Sequence, residues 1–286
     1  MALQFSPVIT ARRKVHSDGF SFFNLNERFY GGLVDPILNI DHFRMTERTF
    51  PPRPLAGFSA VTCLFGSSEG GFVVRDHLGF QATVEPGGLY ALVSGTGMVA
   101  EEAPFPGKTV EGMHVTVNLN AKGKRRPPAS FSLAPGDVKA WKPNPQLSAR
   151  VWLGKIAGAE SPLKLPEPFT LLELNMLPRM SANPRVLSFS GGLVYVLRGK
   201  VRISSGDEVN TLDAMQSIGF QSDDRDLELF IESLEDSHLF FFTGKSCREP
   251  LVIHGAFVMN TQAEIADAVE RYQAGQMGQL APYVFP

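Results

Sequence analysis

Apolar residues along this chain come in short runs, broken at close intervals by glycine and proline. Residues 60–65 (Ala-Val-Thr-Cys-Leu-Phe) are apolar and β-branched. The turn Gly66–Gly71 follows them, and residues 72–75 return as Phe-Val-Val-Arg, the pattern of a hairpin with a long loop. Residues 36–43 read as a short strand entering a turn, and Pro86-Gly87-Gly88 turns the chain into a strand over 89–93. Met113, Val115, Val117 and Leu119 alternate with His114, Thr116, Asn118 and Asn120, a period of two that marks a strand with one buried face. On the simplest reading of that pattern, the apolar set faces the interior and His114 faces away.

The second half repeats the style. Strands are predicted over 149–154, 169–174, 227–234 and 239–243, and over 193–203 as two strands joined at Arg198-Gly199-Lys200. One helix is clearly written. Thr261 followed by Glu264 is a capping box, Ile265, Ala268, Val269 and Tyr272 share a face, and Gly275 suits the C-terminal left-handed position. The fold class is therefore all-β, two sandwiches or barrels in tandem with a short C-terminal helix. A proline-rich stretch from 127 to 145 sets the boundary near residue 135, giving domains over 1–134 and 135–286, the helix at about 261–275 in the second.

Composition narrows the function classes. The chain has 286 residues, enough for two ordinary domains, and 27 glycines with 21 prolines, about one residue in six, fit many turns. A formal net charge of −2 gives no general attraction to nucleic acid or an anionic membrane. The basic cluster Lys122–Arg126 reads as a solvated loop. Two distant cysteines, Cys63 and Cys247, make no disulfide framework, and no apolar run reaches bilayer length, so a soluble, cytoplasmic protein is expected. Neither a phosphate-cradling loop before a helix nor a serine or cysteine nucleophile motif occurs.

Several segments resemble the pirin family of bicupins. They are Asp41-His42-Phe43, Pro51-Pro52, Gly57-Phe58, Gly95-Thr96-Gly97, Val117-Asn118-Leu119, Leu197-Arg198-Gly199 and, most specifically, the closing run Arg248–Thr261 with Glu264-Ile265 and Tyr272–Gly275. The resemblance implies two cupin sandwiches with a cavity in the N-terminal one. That cavity usually holds iron or another divalent metal through three histidines and a glutamate. Some members are implicated in dioxygenation of flavonols such as quercetin, and others act as regulators through protein partners.

Carried over by position, Arg53 and Leu55 stand where the first two histidines would be. Ala100 stands at the third, and Glu102 keeps the glutamate. Leucine and alanine offer no lone pair, and guanidinium is a permanent cation without an acceptor. No metal cofactor is expected, and the four residues are expected to line a cavity for a small molecule, with Arg53 either paired to Glu102 or turned to solvent. The leading expectation is a small-molecule-binding or protein-interaction, regulatory module. The alternatives are a quercetinase-like dioxygenase with a rearranged ligand set, His114 with Glu102 for example, and an inactive subunit paired with an active relative. Among the other histidines, His42 is expected to be structural, His77 solvated at a hairpin end and His254 to help dock the tail, while His16 and His238 carry no pattern.

Overall fold

The computed structural model describes residues 2–285, and its regular structure is almost entirely antiparallel β-strand, with two α-helices among the described residues. Two compact units emerge, and neither is contiguous in sequence. One gathers Arg13–Asn24, Asn39–Asp137 and the described residues from Cys247 onward. The other gathers the residues up to Arg12, Leu25–Leu38 and Val138–Ser246. One division falls at Asp137, close to the proline-rich stretch. Unlike a linear split at residue 134, however, the tail segregates with the first half and the N-terminal residues with the second.

In the cavity-bearing unit a seven-stranded sheet runs in the order Ala129–Leu133, Leu89–Val93, Phe58–Leu64, Val110–Asn118, Ile37–Met45, Phe20–Asn26, Arg12–Ser17. A four-stranded sheet runs Arg53–Leu55, Met98–Pro104, Phe72–Asp76, Gln81–Val84. The central strand Phe58–Leu64 is buried at every position, which is why it reads as an unbroken apolar run rather than an alternation. Cys63 and Cys247 are both free thiols.

The closing segment is part of this unit. Ala56 bridges Phe257, with Ala56 N–H donating to the Ala256 carbonyl at 3.1 Å and Val258 N–H to the Ala56 carbonyl at 2.9 Å. Gly57 has φ +86°, and a Cβ there would lie 1.7 Å from the Val258 carbonyl oxygen. Only glycine permits that approach. Gln262–Gln273 forms the helix, its Thr261–Glu264 capping box complete, and buries Ile265 and Ala268 against Ala56, Phe257, Met259 and Met277. Tyr272, expected on the same buried stripe, is 40% exposed. Gly275 takes the left-handed conformation.

In the other unit, Ser190–Arg198 and Lys200–Ser205 meet at Gly199, φ +84°, as the sequence implies. Its large sheet centres on Ser190–Arg198, Ser237–Lys245 and Phe169–Met176, and Gln4–Phe5 adds an edge strand by pairing with Phe220 and Gln221. The strand predicted over 227–234 is broken into Leu227–Glu228 and Phe230–Ser233, each pairing a different partner. The core between its sheets is aliphatic, with Leu172, Val194, Ile203, Leu212 and Ile231 fully buried. No helix among the described residues is long and apolar enough to cross a membrane.

Candidate functional site

Between the two sheets of the first unit lies a cavity of about 250 Å³. Strand alternation builds it. Asn39, Asp41, Phe43 and Met45 point in from one strand, His114 and Thr116 from its neighbour, and Phe20 and Phe22 from the next. Across the gap the smaller sheet supplies Arg53, Phe72, Ala100 and Glu102. Phe20 stacks on Phe22 at 5.4 Å and meets Phe50 edge-on at 5.2 Å, so one wall is aromatic.

His114 therefore faces the cavity, not away from it as the alternation suggested. The reason is physical. Met113, Val115 and Val117, on the opposite face of the same strand, are also buried, at 0%, 0% and 3% exposure. Period two separates two faces, but where both are covered it does not tell which one meets the hollow.

Three polar groups converge around His114. Thr62 is its directly opposed cross-strand partner, and the Thr62 hydroxyl lies 2.9 Å from His114 Nδ1. The same hydroxyl is 3.3 and 3.4 Å from the two Glu102 carboxylate oxygens reaching over from the smaller sheet. Thr62 was not among the residues singled out from the sequence, since a buried threonine in an apolar strand carries no signal of its own. Asp41 is met by neutral donors: Asn24 Nδ2 donates to Oδ1 at 2.7 Å and Asn39 Nδ2 to Oδ2 at 2.8 Å. Burial pushes the Asp41 carboxyl above its ordinary value. The Asn24 amide, the His114 ring, the Asn39 amide and Lys14 oppose that shift without cancelling it.

Of the four positions expected to line the cavity, Arg53, Ala100 and Glu102 do so. Leu55 instead sits opposite Met98 with 6% exposure and is not part of the lining. The anticipated Arg53–Glu102 ion pair does not form. Arg53 lies directly opposite Ala100, and Glu102 sits two residues further along, a diagonal neighbour within reach of a long side chain. The guanidinium lies 4.8 Å from the centre of the Phe50 ring, a cation–π contact.

Glu101, the neighbour of Glu102, is treated differently. Its side chain is fully buried and held by Arg48 and by Arg75 Nε at 3.5 Å, and it also accepts the Tyr283 backbone N–H at 3.0 Å. Arg48 and Arg75 further donate to the carbonyls of Tyr283 and Ala281, and Arg75 lies over the Tyr283 ring at 5.3 Å. The tail is tied to the strand through a buried charge.

The remaining histidines also find their places. His42 stacks between Phe23 and Phe65 at 5.5 and 5.4 Å, a structural role. His77 is half-buried rather than solvated: its ring Nδ1 accepts from Val99 N–H at 3.2 Å while its backbone N–H donates to the Val99 carbonyl at 3.0 Å. His254 is exposed on the hairpin Val252–Met259 and does not dock the tail through burial. His16, which carried no sequence pattern, lines the cavity beside Phe50 at 5.4 Å. His238 Nε2 lies 2.9 Å from Glu173 in the other unit. In the basic cluster, Lys124 is buried and bonded to Asn260, so that residue is structural rather than solvated.

The donor set does not suit a resident metal ion in the pattern that the resemblance implies. Only Glu102, of the four carried-over positions, presents a lone pair of the required kind. Among the described residues no group of three or more histidine, cysteine, aspartate or glutamate side chains is arranged to hold an ion.

Residues 171–278 match the family model described as the pirin C-terminal cupin domain. A tomato pirin-like protein is 27% identical over 86% of this chain and 82% of its own length, and human pirin is 25% identical over 86% and 83%. Among solved structures, that of a quercetin 2,3-dioxygenase from Acinetobacter baumannii superposes with a TM-score of 0.84 at 23% identity, covering 97% of this chain and 99% of that one. That likeness shows a cupin-type β-sandwich fold.

Proposed function

We infer that this chain, a member of the pirin family with its C-terminal cupin domain, is a small-molecule-binding, regulatory module whose N-terminal cavity works without the family's metal. The observation that carries this reading is the wall chemistry. Phe20, Phe22, Phe43, Phe50 and Phe72 offer an apolar and aromatic surface, and Asp41, His114 and Glu102 add a few polar groups. Asn39 and Thr116 line the cavity as well, and a concave pocket that sets aromatic walls against convergent polar groups is a common form of a ligand site. Arg53, Leu55 and Ala100 cannot donate a lone pair to an ion.

A second reading, a quercetinase-like oxygenase with rearranged ligands, draws support from one observation. His114 and Glu102 both face the cavity and share the Thr62 hydroxyl. Two ligands give a weak site, since stable sites for such ions use three or four protein donors.

Metal content of the purified protein, before and after incubation with ferrous iron and removal of the excess, separates the two. Substoichiometric metal in both samples is expected. One retained ion per chain overturns the metal-free reading. The triple variant Arg53→His, Leu55→His, Ala100→His, put through the same measurement, is expected to gain an ion, which shows that the assay detects a filled site on this scaffold.

A further inference from the structure

Three carboxylates stand near the cavity, and only one of them is held at ion-pair distance by the protein's own cations. Glu101 is flanked by the guanidiniums of Arg48 and Arg75. Glu102 receives only the Thr62 hydroxyl, at 3.3 Å or more, and Asp41 receives only the amides of Asn24 and Asn39. Of the cations in reach, Arg53 is spread over the Phe50 ring, and Lys14 Nζ donates to the Asn24 side-chain oxygen Oδ1 at 3.1 Å instead of to the Asp41 carboxylate. Asp41 and Glu102 are half-buried and hydrogen-bonded by neutral groups, and a partly desolvated carboxylate of this kind is relieved by a cation at hydrogen-bond distance.

We propose that the cavity takes an organic cation, an ammonium or amidinium group joined to an aromatic or apolar body. The charged end would lie between Asp41 and Glu102, and the body would rest against Phe20, Phe22, Phe43 and Phe72. This rests on the small-molecule reading given above and names the ligand class. Two observations favour an organic cation over a metal ion. Asp41, His114 and Glu102 line one hollow but are not clustered closely enough to hold a single ion. An ammonium with its own N–H groups reaches spaced acceptors one hydrogen bond at a time. The phenylalanine faces add to the selection, since a ring face attracts a cation, as Arg53 over Phe50 already illustrates within the same cavity.

The test uses three probes with one ring and different charge: phenethylamine, 2-phenylethanol and 3-phenylpropionate, titrated calorimetrically into the full chain. The amine is expected to bind at least about tenfold more tightly than the alcohol, the factor set by a single charge-assisted hydrogen bond, and the acid more weakly still. In Asp41→Asn and Glu102→Gln the ratio of amine to alcohol affinity is expected to fall toward one. Their circular dichroism spectra report whether each variant is folded. Alcohol or acid binding as tightly as the amine overturns the proposal even if neither variant folds. So does a charge preference that survives in both variants. Either result leaves the metal-free reading standing, because that reading is decided by metal content alone.

Discussion

His114 and Thr62 face each other directly across adjacent strands, Nδ1 to hydroxyl at 2.9 Å, and the same hydroxyl reaches Glu102 of the opposite sheet. One small side chain thus joins the two sheets across the hollow. Thr62 is 1% exposed, so water cannot take over its bonds. Thr62→Val keeps the shape and removes the hydroxyl. It is expected to destabilise the protein by about 0.5–1.5 kcal/mol, the net worth of an ordinary hydrogen bond, since His114 and Glu102 are half-buried beside the cavity and can turn to water. Urea denaturation should show a lower midpoint with an unchanged slope. A midpoint equal to that of the wild type would mean that the three groups are not coupled.

Glu101 holds the tail. Glu101→Gln removes the charge between Arg48 and Arg75 and weakens the acceptor for the Tyr283 N–H. Breaking a buried ion pair from one side costs roughly 3–5 kcal/mol. Arg48 retains 30% side-chain exposure and can rehydrate, so about 2–3 kcal/mol is expected here. The tail around Tyr283 should also be cleaved faster in limited proteolysis. Cleavage at the wild-type rate would show that Phe105 and Phe285, in contact at 5.7 Å, hold it unaided.

Asp41 gives the stability a pH dependence of unusual sign for a carboxylate. Its folded-state pKa is raised above the ordinary 3.8 by burial. Between the two values the folded protein therefore binds the proton more tightly than the unfolded chain does. Its contribution to stability is full below 3.8 and is lost as pH rises through the raised value. The stability of the wild type minus that of Asp41→Asn is thus expected to fall as pH increases across that window. A difference that stays flat or rises would show that the amides of Asn24 and Asn39 outweigh desolvation.

Much of the architecture was legible because short strands with both faces covered leave dense apolar runs, and the capping box at Thr261 is a local signal. The cavity's orientation was not. The apolar face of Val110–Asn118 is fully buried and the face with His114 and Thr116 is half-buried against the cavity, so that polar set looked like a solvent face. His16 and Asp41 join the site only through sheet order, which brings Arg12–Ser17, Phe20–Asn26 and Ile37–Met45 side by side. The Arg53–Glu102 pairing was not decided by spacing: the two are diagonal neighbours within reach of long side chains, but the guanidinium lies over the Phe50 ring, a contact that position along the chain does not reveal.

The interleaving of the two units also sets an order on biosynthesis. Every segment of the unit built from Val138–Ser246 has left the ribosome once residue 246 is free, whereas the cavity unit still lacks the residues from Cys247 onward. Gly57 cannot receive the Val258 carbonyl, nor Glu101 the Tyr283 amide, until those last residues emerge. The half of the chain translated first is therefore the one completed last. A ribosome stalled before the tail would carry a finished second unit beside an open cavity.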